Sequence, residues 1–389
     1  MTNNFKDMLN LFSCAVNGAN IRTDLPYDFN AIFALSKKQQ IDTVLFPVIN
    51  SIYSQNQSFI EKSTYDRWES DFYKTISFSM IRTNYINKLL SNFEEQNIDY
   101  CVLKGEVLAD LYFVPDSRVS GDVDIWICDC NKVKNALDIL AADGFRVPVT
   151  NSNSHQIECY HKIYGLVEIH TDICDKIAKT LWFENKLRFD EKPIRFEDKK
   201  GNKFYTLSYT DGAVFVAFHF LKHFLSHGCG CRQLMDMLLY FTRYKQQINW
   251  EKFDLVFKEL NYLRFIKMCE KIGEKYFGLN FETDIDVSDE IIESILTDLE
   301  TAGVFGKEEE YRDEFTISYS KRRSGINKNG KRLKNDFIIF KVINFLRTRK
   351  FNPIIVVMDL NKRRKFLSKN KSQIRERLKF FENLGFFDN

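Results

Sequence analysis

One stretch of the sequence, residues 99–173, interrupts an otherwise helical pattern and restricts the folds that the chain can adopt. It begins with a short apolar run at Tyr100–Leu103, which ends at the turn residues Lys104-Gly105. A second strand pattern follows at Val123–Ile127, and two more flank Tyr164-Gly165, a dipeptide typical of hairpins. Helical patterns separate these strands, so the order of elements predicts a small mixed sheet with helices packed against it.

The intervals between the strands, and the chain on either side, have the spacing of helices. Glu106–Phe113 and Asn131–Asp143 are predicted to be helices, and Pro115–Gly121 a loop. A helix from Ala213 to Ser226 is predicted to be capped by Thr210-Asp211-Gly212. The other predicted elements are helices at 30–39, 43–53, 65–93, 233–244 and 289–302, two helices within 253–277, and a strand pair near Ile194–Phe196 and Phe204–Leu207.

Together these patterns predict an α+β protein in which a small mixed sheet is flanked by helical N- and C-terminal regions. The 389 residues include only 16 Gly and 6 Pro, which agrees with a mainly helical chain. We expect four segments: a helical domain at 1–97, a core with the sheet at 98–207, a helical domain that closes a cleft at 208–320, and a basic segment at 321–389.

The basic C-terminal segment carries a high density of positive charge. Between Lys321 and Lys371 there are 17 Lys and Arg residues against two Asp, although the whole chain has a net charge of only +3. Three interpretations stay open: the segment packs on the rest of the chain, binds a polyanion such as nucleic acid, or lies on an anionic membrane surface. Competition by heparin would favour the second, and flotation with anionic liposomes the third.

Neither a membrane span nor a disulfide framework is expected. The apolar run Ala213–Leu221 is too short to cross a bilayer, and the N-terminus lacks the pattern of a signal peptide. The nine cysteines are scattered, and the pairs Cys128/Cys130 and Cys229/Cys231 are C-x-C rather than the C-x-x-C typical of zinc ribbons. We therefore expect reduced thiols and a cytoplasmic protein.

Two carboxylates flank Val123 at the start of the strand predicted at 123–127. Asp122 and Asp124 are two residues apart, so their side chains point to the same face of the strand. Neighbouring carboxylates repel each other unless a cation lies between them, and Mg²⁺ is a hard ion that prefers oxygen ligands. The pair alone is a weak motif, because Asp-x-Asp also occurs on solvated loops.

The turn upstream strengthens this motif. Gly105 precedes Asp122 by 17 residues and lies between a strand and a helix, a position whose backbone N–H groups can face an anion. A turn that holds phosphates, followed by a strand whose carboxylates hold a metal, is the order that nucleotidyl transfer needs. Lys104 and Arg118 are the nearest cations, and Ser120 and Gly121 complete the predicted phosphate-binding set, unless these are ordinary solvated turn and loop residues.

The pattern over this interval is similar to that of the polymerase-β-like nucleotidyltransferase superfamily, and within it to a bacterial family of uncharacterised nucleotidyltransferases. The residues that carry the resemblance are Leu103-Lys104-Gly105-Glu106-Val107-Leu108-Ala109, Leu111-Tyr112, Arg118 and Gly121-Asp122-Val123-Asp124. The superfamily usually has Gly-Gly or Gly-Ser where this chain has Lys104-Gly105. The resemblance extends more weakly over 30–249 and leaves out the basic segment.

The resemblance implies an enzyme that moves a nucleoside monophosphate from an NTP, such as ATP, to a hydroxyl acceptor and releases pyrophosphate. Mg²⁺ or Mn²⁺ would be held by Asp122 and Asp124. A third carboxylate from a later strand is expected, and Glu168 in Val167-Glu168-Ile169-His170 matches it best. Glu168 would be a metal ligand or the base that deprotonates the acceptor, unless it is an ordinary exposed strand residue. His170 shares its strand face and is a candidate cleft residue.

Two further sets of residues follow at helical spacing. His219, His223 and His227 are four residues apart, so they either line the cleft or pack at the helix end, and zinc binding is not expected there. Arg232 and Asp236 are also four residues apart. They form either an ion pair on the helix surface or part of the cleft.

Two other functions are compatible with the same residues. The first is a nucleotide-binding or regulatory module that has lost turnover, against which the retention of both Asp122 and Asp124 argues. The second is a nucleotidyltransferase of the toxin–antitoxin type that modifies RNA or protein, which the basic segment favours. The acceptor cannot be read from the helices that would surround it.

Overall fold

A single six-stranded sheet with helices around it forms the part of the chain that the computed structural model describes, namely residues 1–18, 27–148, 156–174, 187–226, 228–304 and 371–387. The described helices are α1 Asn3–Asn17, α2 Phe29–Gln39, α3 Asp42–Gln55, α4 Lys62–Glu95, α5 Glu106–Ala109, α6 Val133–Ala142, α7 Tyr209–Leu225, α8 Cys231–Arg243, α9 Trp250–Glu259, α10 Leu263–Phe277, α11 Asp289–Ala302 and α12 Lys371–Asn383. The strands are β1 Tyr100–Val102, β2 Asp122–Ile127, β3 Gln156–His161, β4 Gly165–His170, β5 Ile194–Glu197 and β6 Lys203–Thr206.

The sheet has the strand order β3-β4-β2-β1-β6-β5 and is mixed. Strand β2 runs antiparallel to β1 and parallel to β4, and β4 pairs with β3 as the predicted hairpin. The predicted strand pair β5–β6 joins the same sheet, because β6 lies parallel to β1. The α+β fold with helical flanks is therefore confirmed.

Two predicted boundaries are wrong, each for a local reason. The helix predicted for Glu106–Phe113 ends at Ala109. After Asp110, the amides of Leu111 and Tyr112 bond three residues back, to the carbonyls of Leu108 and Ala109, which tightens the chain into a turn. The helix predicted to start at Ala213 starts at Tyr209 instead. Its cap is Ser208, whose hydroxyl accepts a hydrogen bond from the Asp211 N–H at 3.0 Å.

Helix α7 runs through the core, which explains its apolar composition. Nearly every residue of α7 is buried, including Ala213–Phe218, so this apolar run packs against protein. Among the described residues, no helix is both long enough and apolar enough to cross a membrane. None of the nine cysteines, all of which lie in the described ranges, forms a disulfide.

The N-terminal helices and the helices after the sheet meet at Gln39. Its amide Nε2 donates to the carbonyl of Leu299 at 3.1 Å, and its Oε1 accepts from the Cys231 N–H at 2.8 Å. The side chain thereby links the end of α11 to the start of α8. This contact brings Gln40 and Val304, at the ends of their elements, to the same side of α8.

Only part of the predicted basic segment is described. Helix α12 packs on the helices after the sheet, where Phe386 lies edge-on to Tyr262 and Phe265. Arg377 of α12 forms an ion pair with Asp298 and donates to the carbonyl of Phe224 at 3.2 Å. Packing on the rest of the chain is therefore observed for 371–387, while residues 321–370, which hold most of the basic charge, lie outside the described residues.

Candidate active site

The register of two parallel strands determines which polar side chains meet. Strand β2 carries Asp122 and Asp124, and strand β4 carries Glu168 and His170. Asp124 lies directly opposite Glu168 in the pairing. Because alternate residues share a face, all four side chains lie on one face of the sheet.

Three of these side chains form a tight buried cluster, the Asp124–Glu168–His170 cluster. The His170 Nε2 atom lies 2.9 Å from Asp124 Oδ1 and 3.6 Å from Glu168 Oε2. Asp124 is 2% exposed, so its carboxylate is almost completely shielded from solvent. One oxygen or nitrogen from each residue lies within 4.8 Å of the others, an arrangement that could hold a divalent metal ion.

The Lys104 ammonium lies beside the carboxylates, in the turn that follows β1, the strand that neighbours β2. Its Nζ atom is 3.2 Å from Asp124 Oδ2 and 3.4 Å from Asp122 Oδ2. The same atom is 3.4 Å from His219 Nε2 of α7. Lys104 thus joins the acidic strand to the helix across from it.

Burial and neighbouring charges set the protonation of the cluster. Burial opposes ionisation of Asp124, but Lys104 and His170 outweigh it and hold the pKa of Asp124 at about 2. Burial raises the pKa of Glu168, with a further contribution from the charge of Asp124. The pKa of His170 is also raised, because hydrogen bonds to the two carboxylates outweigh the effect of burial.

The Gly105 turn has a backbone conformation that favours glycine, with φ 84° and ψ −94°. It leads directly into α5 and lies against the loop that precedes β2. The Ser120 hydroxyl in that loop donates to the carbonyl of Asp122 at 2.8 Å, and Arg82 Nη1 donates to the carbonyl of Ser120 at 2.7 Å. These bonds hold the loop next to the turn.

A cleft of about 290 Å³ opens beside the carboxylates, between the Gly105 turn and helices α7 and α8. The lining residues are Gln40, Lys104, Gly105, Leu108, Arg118, Ser120, Gly121, Asp122, Phe215, Val216, His219, His223, Arg232, Gln233, Asp236 and Val304. The predicted site residues on this wall are therefore brought together, and Asp124, Glu168 and His170 lie beside them in the buried cluster.

Arg118 is held by a partner that the sequence did not indicate. Its Nε and Nη2 atoms both donate to the Asp236 carboxylate at 2.8 Å, and Tyr112 donates to the same carboxylate at 2.8 Å. The alternative of an Arg232–Asp236 ion pair on the helix surface is wrong, because Asp236 is 6% exposed and bonds Arg118 instead. The paired charge of Asp236 outweighs the cost of burial and raises the pKa of Arg118.

Two guanidinium groups on the cleft wall keep donors that no group in the described part of the chain satisfies. Arg118 Nη1 and Arg232 Nε are buried and form no hydrogen bond with the described residues. Arg232 Nη1 donates to Gln40 Oε1 and to the carbonyl of Val119, both at 2.6 Å, which fixes its position. Buried donors of this kind suit an anionic ligand, since leaving them unsatisfied is costly.

The two described histidines of α7 both line the cleft. His219 Nε2 and His223 Nε2 are 3.3 Å apart, and the His219 ring lies 6.3 Å from the Phe215 ring. Burial, assisted by the charge of Lys104, holds the pKa of His219 well below its usual value, so the ring is neutral. His227 lies outside the described residues.

Several cleft residues were not predicted from the sequence. Phe215 and Val216 lie four and three residues before His219, so helical spacing could have indicated them. Gln40 and Val304 could not have been found, because the Gln39 contact that brings them to the cleft joins residues far apart in the chain. Gln233 lies within the family resemblance, directly after Arg232, but was not predicted to be a site residue.

Known proteins similar to this chain indicate its family. The crystal structure of an antigenic nucleotidyltransferase-like protein from Paracoccidioides brasiliensis is similar at 16% identity, covering 47% of this chain and 90% of that chain with a TM-score of 0.28. No curated protein shows significant similarity to the sequence. The family model of an uncharacterised nucleotidyltransferase matches residues 26–278, more than half of the chain and the whole of the 30–249 resemblance. The chain therefore belongs to this uncharacterised nucleotidyltransferase family.

Proposed function

We propose that the protein is a Mg²⁺- or Mn²⁺-dependent nucleotidyltransferase that moves a nucleoside monophosphate from an NTP to a hydroxyl acceptor and releases pyrophosphate. The observation that carries the proposal is the pairing of Asp124 with Glu168 on adjacent strands, with Asp122 on the same face and at the edge of the cleft. Membership of the nucleotidyltransferase family supports the reaction class.

Asp122, Asp124 and Glu168 are the residues that would hold the metal. The burial of Asp124 and the close grouping of oxygen-rich donors around it both fit a divalent ion. When bound, such an ion supplies charge neutralisation for the attacking and leaving oxygens of the phosphoryl group. The alternative role of Glu168, removal of the proton from the acceptor hydroxyl, is supported by its raised pKa.

The triphosphate would lie on the cationic wall of the cleft. Lys104, Arg118 and Arg232 contribute positive charge to it, and the unsatisfied donors of the two arginines are available for phosphate oxygens. Gly105, Ser120 and Gly121 line the same wall and would let the backbone approach the phosphates. His219 and His223 face this region from α7, where they would contact the nucleotide or the acceptor.

Transfer of label from each radioactive NTP, in a cell extract with Mg²⁺ or Mn²⁺, tests the proposal. Asp124→Asn keeps the side-chain size but removes the charge, and we expect it to reduce transfer by a factor of about 100 or more. Asp138→Asn is the matched control, because Asp138 lies on the exposed side of α6.

The outcomes separate the alternatives. Loss of transfer in Asp124→Asn but not in Asp138→Asn supports the assignment. Metal-dependent NTP binding without transfer under any condition favours a non-catalytic nucleotide-binding module. If neither metal nor NTP binds, the proposal is wrong.

A further inference from the structure

We infer that His170 is itself a metal ligand, so that the Asp124–Glu168–His170 cluster forms a mixed nitrogen–oxygen site that prefers a first-row transition ion such as Mn²⁺ to Mg²⁺. The inference rests on the proposed function and specifies the ion that the site takes. It assigns to His170 a role different from that of a cleft residue in contact with substrate.

The distances in the cluster are those of ligands around one ion. Metal–ligand bonds to imidazole nitrogen and carboxylate oxygen are about 2.1 Å long, so ligand atoms at neighbouring positions are separated by about 3 Å. The separations of His170 Nε2 from Asp124 Oδ1 and Glu168 Oε2 are 2.9 Å and 3.6 Å. One ion can therefore contact all three residues with small side-chain adjustments.

The strand pairing that positions Glu168 also positions His170. It lies on β4 two residues after Glu168 and opposite Trp126, so the sheet register fixes its backbone. His170 is 8% exposed, and its Nε2 atom lies 2.9 Å from Oδ1 of Asp124, which is 2% exposed. An imidazole nitrogen and a carboxylate oxygen thus face the same buried point.

The ligand atoms, oxygen or nitrogen, determine which ion a site prefers. Mg²⁺ is bound almost entirely by oxygen and keeps several waters, whereas first-row transition ions bind imidazole nitrogen readily. A site made only of Asp122, Asp124 and Glu168 would suit Mg²⁺. The addition of one imidazole shifts the preference towards Mn²⁺.

The rival role of His170 is structural, in which Nε2–H donates a hydrogen bond to the carboxylates and only positions them. The variant His170→Gln separates the two roles, because the Gln amide can donate a hydrogen bond but is a poor metal ligand. His161→Gln is the matched control. His161 ends β3, lies opposite Gly165 and so belongs to the other face of the sheet.

Pulsed electron paramagnetic resonance of the full chain loaded with Mn²⁺ gives the decisive readout. A directly coordinated imidazole nitrogen produces ¹⁴N modulation of the electron spin echo. We expect this modulation in the wild type and in His161→Gln, and its loss in His170→Gln. Titration should also show that the affinity for Mn²⁺ divided by the affinity for Mg²⁺ is about tenfold or more lower in His170→Gln than in the wild type.

The results that would overturn the inference are equally specific. Absence of ¹⁴N modulation in the wild type with Mn²⁺ bound excludes His170 as a ligand, and this holds even if His170→Gln fails to fold. Modulation that persists in a folded His170→Gln also excludes it. In both cases, label transfer with Mg²⁺ would leave the proposed function intact, whereas absence of any metal binding and of transfer would overturn both.

Discussion

At the scale of single residues, the cleft depends on charges that are buried in pairs. Asp236 neutralises Arg118 through two hydrogen bonds and receives a third from Tyr112, all in a buried environment. Breaking a buried ion pair by removing one partner costs much more than losing an exposed one, because the remaining charge stays desolvated. Asp236 is therefore a residue whose main role is to hold Arg118 in the cleft wall.

We predict that Asp236→Asn lowers the free energy of unfolding by about 3–5 kcal/mol, because it leaves the buried Arg118 charge uncompensated. Chemical denaturation measures the loss. Glu197→Gln, which breaks the exposed Glu197–Lys203 pair, serves as the control and should leave stability nearly unchanged. Equal stability of Asp236→Asn and Glu197→Gln would show that the Arg118 pair is solvated.

The imidazole of His219 should make stability depend on pH. Burial and the charge of Lys104 hold its pKa well below the usual value. The unfolded chain takes up a proton at His219 near pH 6.5, which the folded chain does not, so the contribution of His219 to the free energy of unfolding falls as the pH drops below this value. This contribution decreases by about 1.4 kcal/mol between pH 7.5 and pH 5.5.

Denaturation of the wild type and of His219→Gln at several pH values measures this effect. The variant cannot titrate at this position, so we expect it to lose less stability than the wild type over the same interval. The lowered pKa is contradicted if the wild type and His219→Gln show the same dependence on pH.

At the scale of elements, the helices around the cleft are held from outside by α12. Arg377 contacts Asp298 of α11 and the carbonyl of Phe224 in the last turn of α7. The Arg377 guanidinium also lies 4.9 Å from the centre of the Phe381 ring. A single side chain thus connects three helices, including the helix that carries His219 and His223.

We predict that Arg377→Ala destabilises the protein by about 2–3 kcal/mol and increases hydrogen exchange in the last turn of α7, because the Asp298 charge loses its partner. Hydrogen-exchange mass spectrometry locates the effect. Arg375→Ala, at an exposed position of the same helix, is the matched control. Unchanged exchange at 219–225 would mean that α12 does not restrain α7.

Elements with strong local patterns were predictable, and those set by distant contacts were not. The helix at Asp289–Ala302 was predicted with its observed bounds, because its apolar spacing and its Ser288 cap are local. Helix α5 was predicted too long, since apolar spacing continues beyond Ala109 while the chain turns. The Arg118–Asp236 contact spans 118 residues, and no local pattern indicates it.

In the site, too, local features could be predicted and distant contacts could not. The shared face of Asp122 and Asp124 was predicted from the alternation of side chains along a strand, and Glu168 was predicted from the family resemblance. The contact of His170 with Asp124 could have been suspected only once the strand pairing was known. The division of the chain into four domains, and the roles of the site residues, stay predictions.

At the scale of the whole molecule, ligand binding should raise the free energy of unfolding. Asp122 and Lys104 come from the sheet, whereas His219 and Arg232 come from α7 and α8, so a nucleotide in the cleft would contact both parts. We predict that a non-hydrolysable NTP analogue with Mg²⁺, at about 100 times its dissociation constant, raises the free energy of unfolding by about 2.7 kcal/mol. Thermal and chemical unfolding measure this gain.

Asp124→Asn should lose most of this stabilisation, while Asp138→Asn should retain it. Stabilisation that needs no metal and survives in Asp124→Asn would place the nucleotide away from the carboxylates. This measurement does not depend on knowing the acceptor.

The parallel pairing of β2 with β4 makes formation of the sheet and assembly of the proposed metal ligands a single event. A slip of one residue would turn Glu168 and His170 to the opposite face and separate them from Asp124. Metal affinity therefore indicates whether β2 and β4 are paired in the native register. Shortened or redesigned versions of the chain can be sorted by titration with a divalent ion, since those that bind must have brought residues 124 and 168 together.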